Sequence, residues 1–595
     1  MNKKLTIKPQ QDVFLIHRLL FRLLPVQILL MVVGQVNGLI ASLFASNYIG
    51  PEAMSTVGLY SPVGTFIIAV STLFVSGSQI ICGKFLGNNQ LEQNSRLFSV
   101  TMLASGVFSA VAMLLLLLYT LPGFPVQLTG DPETRRLLNQ YIIGQVPGVL
   151  AFVWGEQLSA FLSMENKFRR STVASLISVA ATVVMNFLFV GWLQLGTLGL
   201  ALASSLGHWA FLLIVAAHFL NGRSMFRFKP VFRDFGMLGE VFRVGIPNSL
   251  TLGYLVIRGI LVNALILRYV GEVGISAFAT ANSLLALFWA VTSGMIAVSR
   301  MVFSISIGEG DRKTLTDVMR NALSRFVPLM AVISALLILL ARPLTLLYYR
   351  DVSAPVFEMT QWGFRILPIC MPMGVVTDHF SCYGQASNKN LAVRILAVLN
   401  GMVFVVLFSA LFVPVIGLNG VYLANVMNGI GCCISIFAYA CFAKRKIPSN
   451  IEELMVIPDE FGTPREDRLD LTVRNMEETV QVSQQVQQFC LEKGIDARRA
   501  FFAALAMEEM AGNIVRHGFS GDRKRHTVDL RIALKGDDIM IRFKDDCIPF
   551  NPQERQNMMN PADRTENIGL RLVFQIVKEQ SYQNILGLNV LTIKI

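Results

Sequence analysis

The chain has 595 residues, 53% hydrophobic and 15% charged, with a mean hydropathy of +0.54; this balance excludes a soluble protein of that length and indicates a polytopic membrane protein. The formal charge of +12 does not indicate a nucleic-acid partner, because Lys and Arg gather in short clusters between apolar stretches, as in cytoplasmic loops. The eight cysteines show no CxxC spacing and lie mostly in apolar runs, so neither a disulfide framework nor a zinc site is expected.

In chain order, the first apolar stretch follows Lys3, Lys4 and Lys8 without a small-residue cleavage site, and reads as a retained span rather than a signal peptide. Runs of about 20 apolar residues give twelve expected spans, centred near Met31, Ala69, Ala110, Leu150, Val179, Phe211, Val256, Phe288, Ile333, Cys370, Val405 and Ser435. Segments after even-numbered spans are basic: Lys84 and Arg96, Lys167 with Arg169 and Arg170, Arg223 through Arg233, Arg312 and Lys313, and Lys444 to Lys446. The opposite loops are short and poor in base, apart from Arg135 and Arg136. An inner (plasma) membrane protein with both termini cytoplasmic is therefore expected.

Shifted against itself by about 222 positions, the chain matches Pro25 to Pro247, Ser159 to Ser381 and Asn166-Lys167 to Asn388-Lys389. One residue out of that register, Gly87 meets Gly308, and Gly196 and Gly199 meet Gly417 and Gly420. These matches are mostly not the common aliphatics, and they argue for two six-helix repeats of like orientation, about 12–221 and 236–443. The same shift places Glu156 on Asp378, each ten residues before its Asn-Lys loop. At a rise of about 1.5 Å per residue both carboxylates are expected near mid-membrane, facing a cavity where they exchange H⁺ or Na⁺ and neutralise a cationic substrate. The competing reading has both acids snorkel toward Lys167, Arg169 or Lys389. His379 stands beside Asp378 to tune it or simply to pack; Arg258, Asn37 and Asn263 are further cavity candidates, and Pro25 and Pro247 are expected to kink their helices.

Residues 15–442, with their twelve spans, early prolines in spans one and seven, basic loops Gly87 to Arg96 and Gly308 to Arg320, and the loop Gln385-Ala386-Ser387-Asn388-Lys389, resemble the MATE family of multidrug and toxic compound extrusion transporters. The resemblance implies an ion-coupled antiporter that exports organic cations from a cavity between two bundles. It departs from the family where many members carry an acid in span one, because this chain reads Gly38-Leu39-Ile40-Ala41, and again early in span seven at Gly253-Tyr254-Leu255.

From Lys444 the composition changes. Residues 444–468 carry Pro448, Pro458 and Pro464 among many charges and read as a linker, leaving 469–595 for one small domain. Its expected elements are a strand (469–473), helices (476–492 and 498–517), a hairpin (527–534 and 539–544, joined by Gly536-Asp537-Asp538), a late helix (569–578) and a closing strand (589–595). Together these predict an α/β sandwich. Glu509, Asn513 and His517 recur at helical spacing and share a face, where the amide oxygen suits Mg²⁺ and the carboxylate suits a general base. Asp545 ends a strand beside Pro549-Phe550, and Ile568-Gly569-Leu570 opens a helix whose N-terminal amides suit phosphate.

These boxes resemble the ATP-binding fold of histidine kinases, gyrase and a heat-shock chaperone, in particular the anti-sigma-factor serine kinases. The resemblance implies ATP and Mg²⁺, with Glu509 as base, Asn513 as magnesium ligand, Asp545 as adenine contact and Gly569 as phosphate-loop glycine. Cys547 stands where a glycine is usual, and Glu566-Asn567-Ile568 lacks the lid's second glycine. No P-loop is present, since Gly83-Lys84 is followed by Phe85. The expected fold class is thus a polytopic α-helical membrane protein with a C-terminal α/β sandwich that regulates transport or signals to a cytoplasmic protein. A membrane-anchored serine kinase and a lipid-linked flippase are the alternatives.

Overall fold

The computed structural model describes residues 14–44, 48–49, 51–121, 132–222, 224–229, 232–349, 351–519, 526–549, 551–552 and 568–595. Two compact units result. One comprises Leu20–Gly308 and Lys313–Ile457; the other comprises Pro458–Ile595 together with Glu309–Arg312 and the chain up to Leu19.

Among the described residues, eleven helices are long and apolar enough to cross a membrane. The α-helices before Pro458 are α1 (Phe14–Phe44), α2 (Pro51–Gly87), α3 (Leu91–Tyr119), α4 (Pro132–Met164), α5 (Phe168–Asn186), α6 (Gly196–Leu220), α7 (Gly236–Tyr269), α8 (Glu272–Gly308), α9 (Arg312–Asn321), α10 (Val327–Leu339), α11 (Ala341–Leu346), α12 (Pro355–Ile366), α13 (Met371–Ala386), α14 (Asn390–Val398), α15 (Phe404–Ile416), α16 (Leu418–Lys444) and α17 (Ile451–Leu454). The tenth expected span, around Cys370, is the run that is not one continuous helix: Pro355–Ile366, a 3₁₀ turn at Leu367–Cys370, then Met371–Ala386. Pro368 and Pro372 remove two backbone donors there, and the chain tightens into the 3₁₀ turn. With that run, all twelve expected spans have a counterpart.

The internal repeat is visible in the backbone. Asn166 and Asn388 both take positive φ (59° and 61°), as do Gly196 and Gly417 (57° and 59°) and Asn89 and Gly310 (58° and 63°). Pro25 lies exposed inside α1 and Pro247 buried inside α7. The halves meet through small residues on α2 and α8: a Cβ on Gly83 would stand 2.7 Å from the Ser304 Cβ, and one on Gly308 would stand 2.8 Å from backbone atoms of Lys84. Backbones this close leave no room for side chains.

The smaller unit folds around an antiparallel five-stranded sheet in the order β1-β2-β3-β5-β4. The strands are β1 (Arg468–Val473), β2 (Val528–Lys535), β3 (Asp538–Asp545), β4 (Glu579–Ile585) and β5 (Leu588–Lys594). One face carries Leu530, Ile532, Ile541, Phe543, Leu591 and Ile593 into a core shared with α18 (Met476–Glu492), α19 (Ala497–Asn513) and α20 (Ile568–Ile576). Asn475 caps α18 by accepting from the Glu478 N–H at 2.8 Å, and Asp496 caps α19. The sequence reading runs the late helix to 578 and has no β4. The structure ends α20 at Ile576 and begins β4 at Glu579, an edge strand with polar residues on both faces, which hides the alternation that marks a strand. The two-residue turn Leu586-Gly587, with φ of 54° and 78°, closes the β4–β5 hairpin.

Candidate functional site

In the membrane unit, Glu156 lies on α4 as an exposed residue between buried Gly155 and Gln157. Asp378 is half-buried on Met371–Ala386 beside fully buried His379. The neighbours that follow each acid do the same work. Gln157 donates from Nε2 to Ser78 Oγ at 2.8 Å, and His379 Nε2 lies 3.0 Å from Ser299 Oγ. These pairs are related by the repeat, since Gln157 corresponds to His379 and Ser78 to Ser299. Each pin joins the fourth span of its half to the second, α4 to α2 and Met371–Ala386 to α8. His379 Nδ1 lies 2.7 Å from the Val375 carbonyl, which only accepts, so Nδ1 carries the proton there.

The electrostatics differ. Arg300 on α8 is the charged group acting on Asp378, and no charged side chain acts on Glu156 among the described residues. Arg300 Nε is buried without a hydrogen bond. Asn186, at the end of α5, is fully buried with neither side-chain nitrogen nor oxygen hydrogen-bonded. Sequence reasoning missed Gln157, Ser78, Asn186 and Arg300, although each is a polar residue interrupting an apolar run. Of the other candidates, Arg258 is half-buried on α7 near Cys370, and Asn263 is exposed on α7. The Asn37 side chain lies outside the described residues.

In the tail, Glu509 and Asn513 lie half-buried on α19. A π turn at Ile514–Gly518 follows, which widens the spiral and leaves His517 exposed. Gly569, at the start of α20, faces Glu509 so closely that a Cβ there would overlap its carboxylate. Gly518 in turn packs on Cys547, whose Cβ would be 3.0 Å from a Cβ on the glycine. The three boxes therefore converge.

Asp545 ends β3 and is 4% exposed. Its Oδ1 accepts from Asn589 Nδ2 at 2.8 Å and from the Cys547 N–H at 2.9 Å. Burial raises its carboxyl above the usual range, against the pull of those hydrogen bonds. Asn589 was not singled out from sequence. It is a buried polar residue near the start of β5, and its Oδ1 accepts from Tyr582 and Asn584, each at 2.8 Å. Next to it, Asp546 accepts from His526 Nδ1 at 2.8 Å and from Arg18 Nη1 at 2.7 Å, so its carboxylate already serves an ion-pair network. Phe550, Glu566 and Asn567 lie outside the described residues.

This geometry fits an adenine nucleotide: a buried acceptor at a strand end, a glycine without a Cβ facing a carboxylate at a helix N-terminus, and an amide one helical turn away. Asp545 would hold the base, the amides of α20 the phosphates, and Asn513 a Mg²⁺.

Comparison with known proteins finds two family models on the chain. The MatE family model matches residues 27–188, and the histidine kinase-like ATPase domain model matches residues 473–595. The chain thus carries a MatE domain at residues 27–188 and a histidine kinase-like ATPase domain at residues 473–595. Among curated relatives it is similar to the multidrug export protein MepA of Staphylococcus aureus, 20% identical over 443 residues that span 71% of this chain and 94% of MepA. Among solved structures it is similar to a multidrug resistance MATE family transporter of the MOP superfamily in an outward-facing conformation, with a TM-score of 0.66, 21% identity, and 71% and 94% of the two chains covered. A MATE structure in complex with MaL6 has a TM-score of 0.65 at 22% identity, covering 71% and 95%.

Proposed function

We propose that the chain is a multidrug efflux transporter of the MATE type, driven by an H⁺ or Na⁺ gradient, that exports organic cations and carries a cytoplasmic ATP-binding domain which regulates it. The observation that carries the transport reading is the repeat-related pair Glu156 and Asp378, each followed by a buried polar pin that fixes its helix. An acid held in the span of one half against a matched acid in the other gives two bundles a shared ion or substrate site to alternate around. The proposed domains are a transporter over 1–443, a linker over 444–468 and the ATPase over 469–595, with both termini in the cytoplasm.

The regulatory reading rests on the contents of the tail. It holds Glu509, Asn513, Asp545 and Gly569 on converging elements, and the sequence carries no P-loop through which hydrolysis could drive transport. Bound nucleotide supplies charge and phosphate groups there; Asp545 orients the base, Asn513 the metal, and Glu509 positions water. In cells loaded with a fluorescent organic cation, Asn513→Ala is expected to retain most basal efflux, while a protonophore or sodium ionophore abolishes it. Loss of all efflux in Asn513→Ala with the gradient intact would make the tail a motor and overturn the reading.

A further inference from the structure

The turn from α8 to α9 reads Gly308-Glu309-Gly310-Asp311-Arg312, and its part Glu309–Arg312 belongs to the same compact unit as the ATPase domain. Its two acids are 2% and 6% exposed in their side chains. Buried carboxylates need bases, and here the bases come from the sheet. Asp311 meets Arg531 of β2 at 2.7 Å; Glu309 meets Lys544 of β3 at 3.0 Å and Arg542 at 3.4 Å. Arg531 also meets Asp470 of β1 at 2.7 Å. Burial works against the charge on Arg531, but Asp311 and Asp470 outweigh it and hold the guanidinium above its usual range.

These bases alternate with the core residues Leu530, Ile532, Ile541 and Phe543, so they stand on the face of the sheet turned away from the helices. Backbone contacts add to the charges. A Cβ on Gly462 would come within 2.5 Å of the Gly310 carbonyl oxygen, and Arg312 donates to the carbonyls of Pro458 and Asp459 at 3.1 and 3.3 Å.

The first transport half supplies a built-in control. Its equivalent turn, Gly87-Asn88-Asn89-Gln90, has the same left-handed residue at its centre, Asn89 with φ 58° against 63° at Gly310. Asn88, Asn89 and Gln90 are exposed and uncharged. The shape of the turn is therefore common to both repeats, whereas the acids and their burial belong to one. Chain connectivity makes this asymmetry consequential, because the acidic turn continues directly into α8, which carries Ser299 and Arg300 beside His379 and Asp378.

We propose that the outer face of the ATPase sheet is a receptor for the Glu309-Gly310-Asp311 turn, a docking contact made within the smaller unit between the ATP-binding domain and the chain segment that follows α8. The docking stands on the ion pairs alone; its use as a relay to Asp378 rests on the regulatory reading given above.

The test uses the full chain in lipid nanodiscs and follows trypsin cleavage within residues 458–468. Glu309→Gln with Asp311→Asn is expected to speed that cleavage about tenfold, and Lys544→Met to do the same from the sheet side. All three changes together should add little more, because they remove one contact. Asn88→Ala with Gln90→Ala should cleave at the wild-type rate. Wild-type cleavage in the Glu309/Asp311 variant, or fully additive effects, would overturn the docking. Adding an ATP analogue to transport assays separates the two claims: a nucleotide effect lost in the Glu309/Asp311 variant supports the relay. A nucleotide effect that persists despite faster cleavage overturns the relay and leaves the docking intact, and no effect in the wild type overturns the regulatory reading instead.

Discussion

In the first transport half, Gln157 pins Ser78 beside an acid, Glu156, on which no charged side chain acts among the described residues. In the second, His379 pins Ser299 beside an acid, Asp378, that feels Arg300. The backbone pattern is duplicated while the electrostatics are not. Duplication fixes where a polar side chain can enter the bundle, and substitution then decides what that position does. The two acids should therefore fail differently.

The largest effect expected from breaking this comparison lies at the acids. Glu156→Gln and Asp378→Asn should each reduce gradient-driven efflux at least tenfold, but Asp378→Asn should also lower thermal stability, because Arg300, whose Nε is buried without a hydrogen bond, then lacks a nearby carboxylate. Efflux assays with thermal unfolding of the purified protein decide this; equal stability losses would show the halves to be electrostatically alike.

The buried carboxyl of Asp545 in the tail sharpens the contrast, because its partners are uncharged, Asn589 and the Cys547 amide. Asp545→Asn should weaken nucleotide binding about tenfold, as measured by calorimetry on the full chain. Burial holds this carboxyl above its usual range, and the charged form is the one that accepts from the base. Wild-type affinity should accordingly fall with decreasing pH, and the fall should begin at a higher pH than an exposed aspartate would give. An unchanged affinity across that range would remove Asp545 from the site.

The smallest expected effect is at the pins. Gln157→Leu and His379→Leu each strand a buried serine hydroxyl and should cost about 1–3 kcal/mol, seen as a lower unfolding temperature. His379→Gln, which places the first half's residue in the second, should recover most of that loss. No recovery would mean that the equivalence of the two pins is one of position alone.

What the sequence revealed followed from signals with a strong physical cause. Apolar runs marked the spans, including the proline-broken one around Cys370, and the left-handed Asn166 and Asn388 stood out because their loops match in type and order. Glu509, Asn513, Asp545 and Gly569 could be singled out because helical spacing, a strand end and a helix start mark their positions in the sequence. Other features were hidden. β4 has no apolar alternation to betray it, and Asn589, Arg300 and Gln157 acquire meaning only from partners far away in the chain. The acids Glu309 and Asp311 looked like ordinary loop charges, since nothing local shows that Arg531 and Lys544 bury them.

The claim that the ATPase domain informs transport without powering it has one direct test: uptake of an organic cation by inside-out proteoliposomes containing the purified full chain, under an imposed proton or sodium gradient and without nucleotide. The account predicts gradient-dependent accumulation that ATP then modulates. Accumulation that requires ATP and ignores the gradient would contradict it.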